Sequence, residues 1–335
     1  MKNKKLSLSY LVLGLFLVTM FGYGLGTKNE QQTKSDDTNK TVGVLQYVSH
    51  PALDSIYKGV IQGLKNKGYE EGKNLTLLFQ NGQADQSKLA TMSQQLVNKQ
   101  ADALVGIATP AAQALANATS EIPIVLGAVT DPVGANLVKN MEKPGGNITG
   151  VSDKAPIAAQ ITLATKLLPK AKKMGILYSS AEDNSKYQVA EAKKAAAALG
   201  LEVKTYAVPS TNEISQTVQV MGQENDFIYI PLDNTIANAM PSVVAEANKS
   251  NTPVIPSVDT MVEQGGLATV GINQFDLGVK TGEMVADVLN GADPATTPVY
   301  TFTKGDTILN LEQAKTLGIT IPEAIQKEAK IVGGN

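Results

Sequence analysis

The sequence predicts an α/β protein built from two doubly wound parallel-sheet lobes, and three observations carry that expectation. The first is the stretch 101–133, ADALVGIATPAAQALANATSEIPIVLGAVTDPV, which reads strand, helix, strand with almost no surplus residues. Its apolar run at 103–107 is long enough for a buried strand and too short for a helix. Thr109 stands where a helix N-cap would be, and Pro110 fits the first turn, where its missing N–H costs nothing. Residues 124–128 form the next strand and Thr130-Asp131-Pro132 a polar turn, giving one βαβ unit. The second observation is that this grammar returns at 226–260, DFIYIPLDNTIANAMPSVVAEANKSNTPVIPSVDT. There Asp226, the run 227–231, Asp233 and residues 252–255 fall on Asp102, 103–107, Thr109 and 122–125. The third is the echo of Val42-Gly43-Val44-Leu45 in Met174-Gly175-Ile176-Leu177, each followed by a serine-bearing turn and a helix. Ligands of open parallel sheets sit beyond the carboxyl ends of the strands, so two such lobes facing each other gather these turns around a shared cleft.

Length and composition agree. A chain of 335 residues suits two domains rather than one core, and its 43% hydrophobic content is ordinary. A net charge of −2 leaves no electrostatic footprint for nucleic acid. Cys and Trp are absent, and so is Arg; histidine occurs once, as His50. No disulfide or thiolate metal site is possible, and a zinc site has almost no ligands to draw on. Without Arg, an anionic group must be held by helix N-terminal N–H groups, hydroxyls, amides or Lys.

Residues 1–5 are a basic start, and 6–26 run without a charge. That pattern is a membrane anchor with its N-terminus in the cytoplasm, or a secretory signal if it is cleaved. We read an anchor, because the apolar run is long and no convincing A-x-A site follows. Residues 27–40 are a polar, structureless tether. The first lobe is expected over 41–151 plus 274–300 and the second over 152–273 plus 301–332. Strands are expected at 41–47, 74–79, 103–107 and 124–128, with helices at 54–67 (closed by Gly68), 85–98 and 109–117. The turn cluster Lys143-Pro144-Gly145-Gly146-Asn147 leads into 148–151, the first crossing between lobes. The second lobe takes helices at 155–168, from the turn at 179–185 to 199, at 212–221 and, as a longer one, between Asp233 and Thr252, and strands at 173–178, 201–208, 227–231 and 252–255. Residues 261–266 read as a turn, 267–272 as the second crossing, 276–289 as a helix and 299–303 as the third crossing. A last strand at 307–311 precedes terminal helices at 312–317 and 322–330. Three thin crossings between two lobes make a hinge.

Catalytic readings fail in turn. His50 is the one candidate base, no Gly-x-Ser-x-Gly elbow exists, and Gly63, Gly68 and Gly72 match neither nucleotide-binding pattern. What remains is a set of polar residues just after strands: Ser49, His50, Thr109, Thr130, Asp131, Ser179, Asn184, Ser185, Asp233, Asn234, Thr235 and Asp259, to which Asn273 is added. Thr109, Asn184 and Asp233 also read as simple N-caps, each contributing about 1 kcal/mol. Capped helix starts offer N–H groups and positive dipole ends to an anion, while Asp233 or Asp259 would meet an ammonium. Together they suit a zwitterion.

At these residues a resemblance becomes specific. The runs QYVSHPALD (46–54), IATPAAQ (107–113), AVTDPV (128–133), KPGGNITGVSD (143–153) and LDNT (232–235) resemble those of the ABC-transporter substrate-binding family whose members include tryptophan and tyrosine binders. The resemblance implies a type I periplasmic-binding-protein fold. It also implies an aromatic amino acid (tryptophan, tyrosine or phenylalanine) or similar small ligand, and delivery to a membrane permease and its ATPase; neither a cofactor nor catalysis is expected. It places Thr109, Thr130, Asp131, Asn184, Ser185, Asp233 and Asn234 in the cleft, with Tyr47 packing on an aromatic ring. Family members carry a lipidated Cys after the signal; this chain has none, which favours the 6–26 span as the membrane attachment. A sensor of the same fold without transport, or an exported α/β enzyme, would be the alternatives.

Overall fold

The structure is a computed structural model, and the residues it describes are 39–333. The expected basic start and anchor, and all but the last residues of the tether, lie outside them. Among the described residues no helix is long and apolar enough to cross a membrane.

The first sheet has the order β11-β5-β4-β3-β1-β2 and every pairing in it is parallel. Its strands are β1 (Lys40–Gln46), β2 (Leu75–Asn81), β3 (Ala103–Ile107), β4 (Ile124–Gly127), β5 (Ile148–Ser152) and β11 (Tyr300–Thr301). The central strands are buried on both faces, which is why β3 and β4 read as unbroken apolar runs rather than alternating ones. The helices covering this sheet are α1 (Pro51–Asn66), α2 (Gln86–Asn98) and α3 (Thr109–Ala118), joined from far along the chain by α10 (Gln274–Leu289). Pro51 opens α1, Ile56, Val60 and Leu64 bury one stripe of it, and Gly68 follows its end at φ 91°. Asp85 caps α2 by accepting from the N–H groups of Ser87 and Lys88.

The second sheet repeats the plan in the order β7-β6-β8-β9: β6 (Lys173–Ser179), β7 (Glu202–Val208), β8 (Phe227–Ile230) and β9 (Val254–Pro256), again all parallel. In both sheets the strand order is second, first, third, fourth, so each has a topological switch point between its first and third strands. Around it lie α4 (Ile157–Leu167), α5 (Asp183–Ala198), α6 (Ile214–Glu224), α7 (Asn234–Asn238), α8 (Met240–Lys249) and α9 (Asp259–Glu263). Two further strands and two short helices complete this body: β10 (Ala268–Gly271), β12 (Asp306–Asn310), α11 (Leu311–Thr316) and α12 (Glu323–Glu328). Separate apolar cores serve the two bodies, one under the first sheet and the others on the two faces of the second.

Several expectations are corrected. The single longer helix expected between Asp233 and Thr252 is α7 and α8, broken at Ala239 ahead of Pro241. Of the turn at 261–266, the first three residues end the helix α9 and the rest is a turn. The helix at 322–330 stops at Glu328, and Lys330–Val332 is a strand, β13, pairing in parallel with β12. β10 and β12 pair antiparallel, so the all-parallel plan gains a mixed extension in the second body. The runs at 148–151, 267–272 and 299–303 mostly belong to sheets, and the links between the two bodies follow them, at 153–156, 272–273 and 302–305.

The tightest packing is the crossing of α1 and α10. Gly59 and Gly63 on one helix face Gly278 and Gly282 on the other, and an added Cβ on any of the four would overlap backbone of the partner helix. Both helices begin at the site described next.

Candidate ligand site

The carboxyl ends of the strands in both sheets face a narrow cavity of about 30 Å³. The first residues of four long helices reach its wall: Ala52 and Leu53 of α1, Thr109 of α3, Asn184 of α5 and Gln274 of α10. Helix N-termini present unpaired N–H groups and a positive dipole end, so the wall favours an anionic group. Ala108 and Ala128, at the ends of β3 and β4, line it with φ of 75° and 63°. Non-glycine residues in the left-handed region store strain that the surrounding structure must hold.

Of the fourteen residues picked out from the sequence, His50, Thr109, Thr130, Asn184, Asp233 and Asn234 line the cavity. Neither Thr109 nor Asn184 is a cap: α3 starts after Ala108 and α5 after Glu182, so both side chains are released to the cavity. Asp233 does cap α7, accepting from the Ile236 N–H at 2.9 Å. Its other oxygen accepts from the Ser179 N–H at 2.6 Å and the Ser185 hydroxyl at 2.7 Å. Burial and the charge of Glu182 push its carboxyl up to about 7, against the pull of these three donors. Three of the roughly four lone-pair positions of Asp233 are thus engaged by the protein itself.

The remaining expected residues stand behind or outside the wall. Tyr47 is packed in the first core; burial, chiefly, raises its phenol, which is hydrogen-bonded with Thr235. Ser49 is exposed and donates to Asp54. Asp131 accepts from the Gly134 N–H and lines a neighbouring cavity of about 240 Å³, which shares Thr109 and Asn184 with the first. Thr235 donates to Glu182, and Asn273 caps α10 through the Asp276 N–H. Asp259 accepts from the backbone of Thr260 and Gln274, and burial pushes it up to about 6.

Three contributors were missed. Asp153 ends the KPGGNITGVSD run and lines the cavity; burial raises it to about 6, opposed by a hydrogen bond from Thr130. Gln274 lines the cavity from the start of α10. Glu182, fully buried, gathers Asn234 and Thr235 by accepting from their backbone N–H groups and side chains. Only the motif position of Asp153 carried a signal in the sequence.

Among the described residues, the buried side-chain polar atoms without a partner are Gln46 Oε1, His50 Nδ1, Thr109 Oγ1, Asp153 Oδ1 and Asn184 Oδ1. The last four belong to residues of the cavity wall. Buried polar groups are almost always paired, so their concentration at one place needs a reason. Asn184 donates its Nδ2 to the Leu232 carbonyl at 2.8 Å, which leaves Oδ1 as a pure acceptor. No group of three or more metal-ligating side chains occurs among the described residues.

Two α/β bodies of like topology, linked three times and enclosing an under-satisfied polar cavity at their switch points, define a type I periplasmic-binding-protein fold. The chain belongs to the ABC transporter substrate binding protein family, whose sequence model matches residues 41–332. It is 38% identical over 321 residues to the tyrosine-binding protein of Clostridioides difficile (strain R20291), spanning 94% of this chain and 93% of that one. A Streptococcus pneumonia ABC domain solved in complex with L-Trp is 54% identical, with a TM-score of 0.86 over 88% of this chain and 99% of that one. A ligand-free, open substrate binding protein with adhesive properties from Clostridium difficile is 38% identical. Its TM-score is 0.68 over 88% of this chain and 100% of that one.

Proposed function

We propose that the protein is the extracytoplasmic binding component of an ABC importer and that it closes on an aromatic amino acid, tryptophan or tyrosine. The observation that carries this reading is the set of unpartnered polar atoms in one cavity. Asp153 Oδ1, Asn184 Oδ1 and His50 Nδ1 are three acceptors, the number an α-ammonium has protons to offer. The Thr109 hydroxyl and the N-terminal N–H groups of α3 suit the carboxylate. Charge-assisted hydrogen bonds contribute about 1.5–3 kcal/mol each, so three or four plus ring burial reach the roughly 8 kcal/mol of a micromolar complex after ordering costs.

The likeness to a tyrosine-binding relative and to an L-Trp complex supports an aromatic side chain. The higher TM-score to that complex than to the open, ligand-free structure supports a closed arrangement. In this reading the moving lobes are those expected from the sequence, with Ser152 and Thr301, which pair in the first sheet, moved to the first: 41–152 plus 274–301, and 157–271 plus 306–332. The links at 153–156, 272–273 and 302–305 bend, and the ligand acts by its preference for the closed form. The closed form is delivered to a permease and its ATPase, with residues 6–26 holding the protein at the outer face of the membrane.

The test uses the absence of tryptophan from the chain. The full-length protein in mild detergent, freed of ligand by unfolding and refolding, is titrated into L-tryptophan while indole emission and anisotropy are followed. A saturable change at micromolar protein is expected, with tyrosine competing. Well-folded protein that leaves both signals unchanged rejects tryptophan as the ligand.

A further inference from the structure

The two nitrogens of His50 face different parts of the molecule. Nε2 lies 3.2 Å from Asn234 Oδ1 on the opposite side of the cleft. The Asn234 amide is not free to turn, because its Nδ2 donates to the buried Glu182 carboxylate at 2.6 Å. Asn234 Oδ1 can therefore only accept, and His50 Nε2 must carry the proton. A neutral imidazole protonated at Nε2 has a bare lone pair on Nδ1. That atom is buried without a partner, in a residue of the cavity wall. The ring stays neutral at physiological pH, since burial holds it down at about 4. The carboxyl groups around it are Asp54 on its own helix, Asp153 and Asp233 in the shared wall, and Glu182 behind Asn234.

We infer that His50 is the residue through which ligand recognition and lobe closure are joined: Nδ1 accepts an N–H from the ligand's α-ammonium while Nε2–H bonds Asn234 across the cleft. The inference rests on the amino acid reading above and assigns the ligand group involved. A carboxylate brings only lone pairs and would oppose the Nδ1 lone pair, so the ammonium end lies at His50 and the carboxylate end at α3. An N–H donated to Nδ1 fixes the Nε2–H tautomer and makes Nε2–H a better donor, as hydrogen bonds in a chain polarise one another. Occupancy thus strengthens a contact that exists only when the lobes are together. A des-amino analogue such as indole-3-propionate leaves Nδ1 unpaired and gains none of this.

The chain's single histidine makes the test direct. Full-length protein in mild detergent carrying ring-15N histidine yields one imidazole whose tautomer is read from its nitrogen–carbon-proton couplings. With L-tryptophan, the Nε2–H tautomer is expected, with the Nδ1 resonance shifted from the value of a bare lone pair toward that of a hydrogen-bonded acceptor. Indole-3-propionate should leave Nδ1 in place and bind at least tenfold more weakly by calorimetry. His50→Gln, whose amide keeps a donor toward Asn234 but loses the Nδ1 acceptor, should weaken L-tryptophan at least tenfold and reduce the penalty for the missing ammonium. Binding of L-tryptophan with Nδ1 unmoved, or with the proton on Nδ1, overturns the inference and leaves the amino acid reading intact. No binding of any aromatic amino acid removes both.

Discussion

The α1–α10 crossing and the cavity are two regions of opposite character built on the same two helices. At the crossing, Gly59, Gly63, Gly278 and Gly282 bring backbone against backbone, with no room for a methyl group. At the starts of the same helices, His50, the N-cap residue of α1, and Gln274 of α10 enter a wall where four polar side-chain atoms have no partner. The difference teaches how a binding site is kept both precise in place and unsatisfied in bonding. Rigidity is supplied a few turns away, where packing is complete, so the site itself need not use its polar groups to hold its own shape.

The largest effect should come from filling the crossing. Gly59→Val forces the helices apart and is expected to cost about 3 kcal/mol, lowering the melting temperature by about 6–12 °C. A melting temperature within 2 °C of the parent would mean that the crossing yields easily. Truncation in the cavity should do the reverse. Asp153→Ala is expected to weaken L-tryptophan binding about 30-fold or more in calorimetry, while the melting temperature of the unliganded protein does not fall. Its carboxyl is raised to about 6, and the ammonium needs the ionised form. Parent affinity should therefore drop as pH falls through 6, and that dependence should vanish in the variant.

Asp233→Ala lies between the two cases. It removes the acceptor for the Ser179 and Ile236 N–H groups and the Ser185 hydroxyl, so about 2 kcal/mol of stability is expected to go. Because the folded state raises this carboxyl to about 7, the native protein binds protons more tightly than the unfolded chain. Parent stability then rises as pH falls from 8 to 6.5, above the range in which His50 opposes it. Scanning calorimetry of parent and variant checks this, and the rise should flatten in the variant. Thr109→Val gives the smallest change, about fivefold in affinity, if its hydroxyl meets the ligand carboxylate. An effect on melting temperature alone would return Thr109 to a structural role.

Much of the fold was legible because buried parallel strands write themselves as short apolar runs; β3 falls on the residues predicted for it. β13 was missed because Lys330-Ile331-Val332 is too short for any period, and its strand character comes from pairing with β12. The site was legible as a set of positions, polar residues after strands. Their roles were not. Thr109 and Asn184 looked like caps because nothing local reveals that helices begin one or two residues earlier, one of them at an alanine with positive φ. The donors that Asp233 gathers could not be read locally, because Ser179 and Ser185 lie more than 45 residues away. Asp153 could be found in the sequence by its motif position alone, and its role shows once its Oδ1 is found buried and unpaired.

The pairing of α1 with α10 also governs when the molecule can become itself. A chain made from its N-terminus has α1 in hand by residue 66, yet the helix that covers its glycine face is not complete until residue 289. Contacts of such sequence separation carry a high loop-closure cost and form slowly. Until the last fifth of the chain is available, the first lobe lacks part of its core, and the nascent polypeptide stays short of its native state for most of its synthesis.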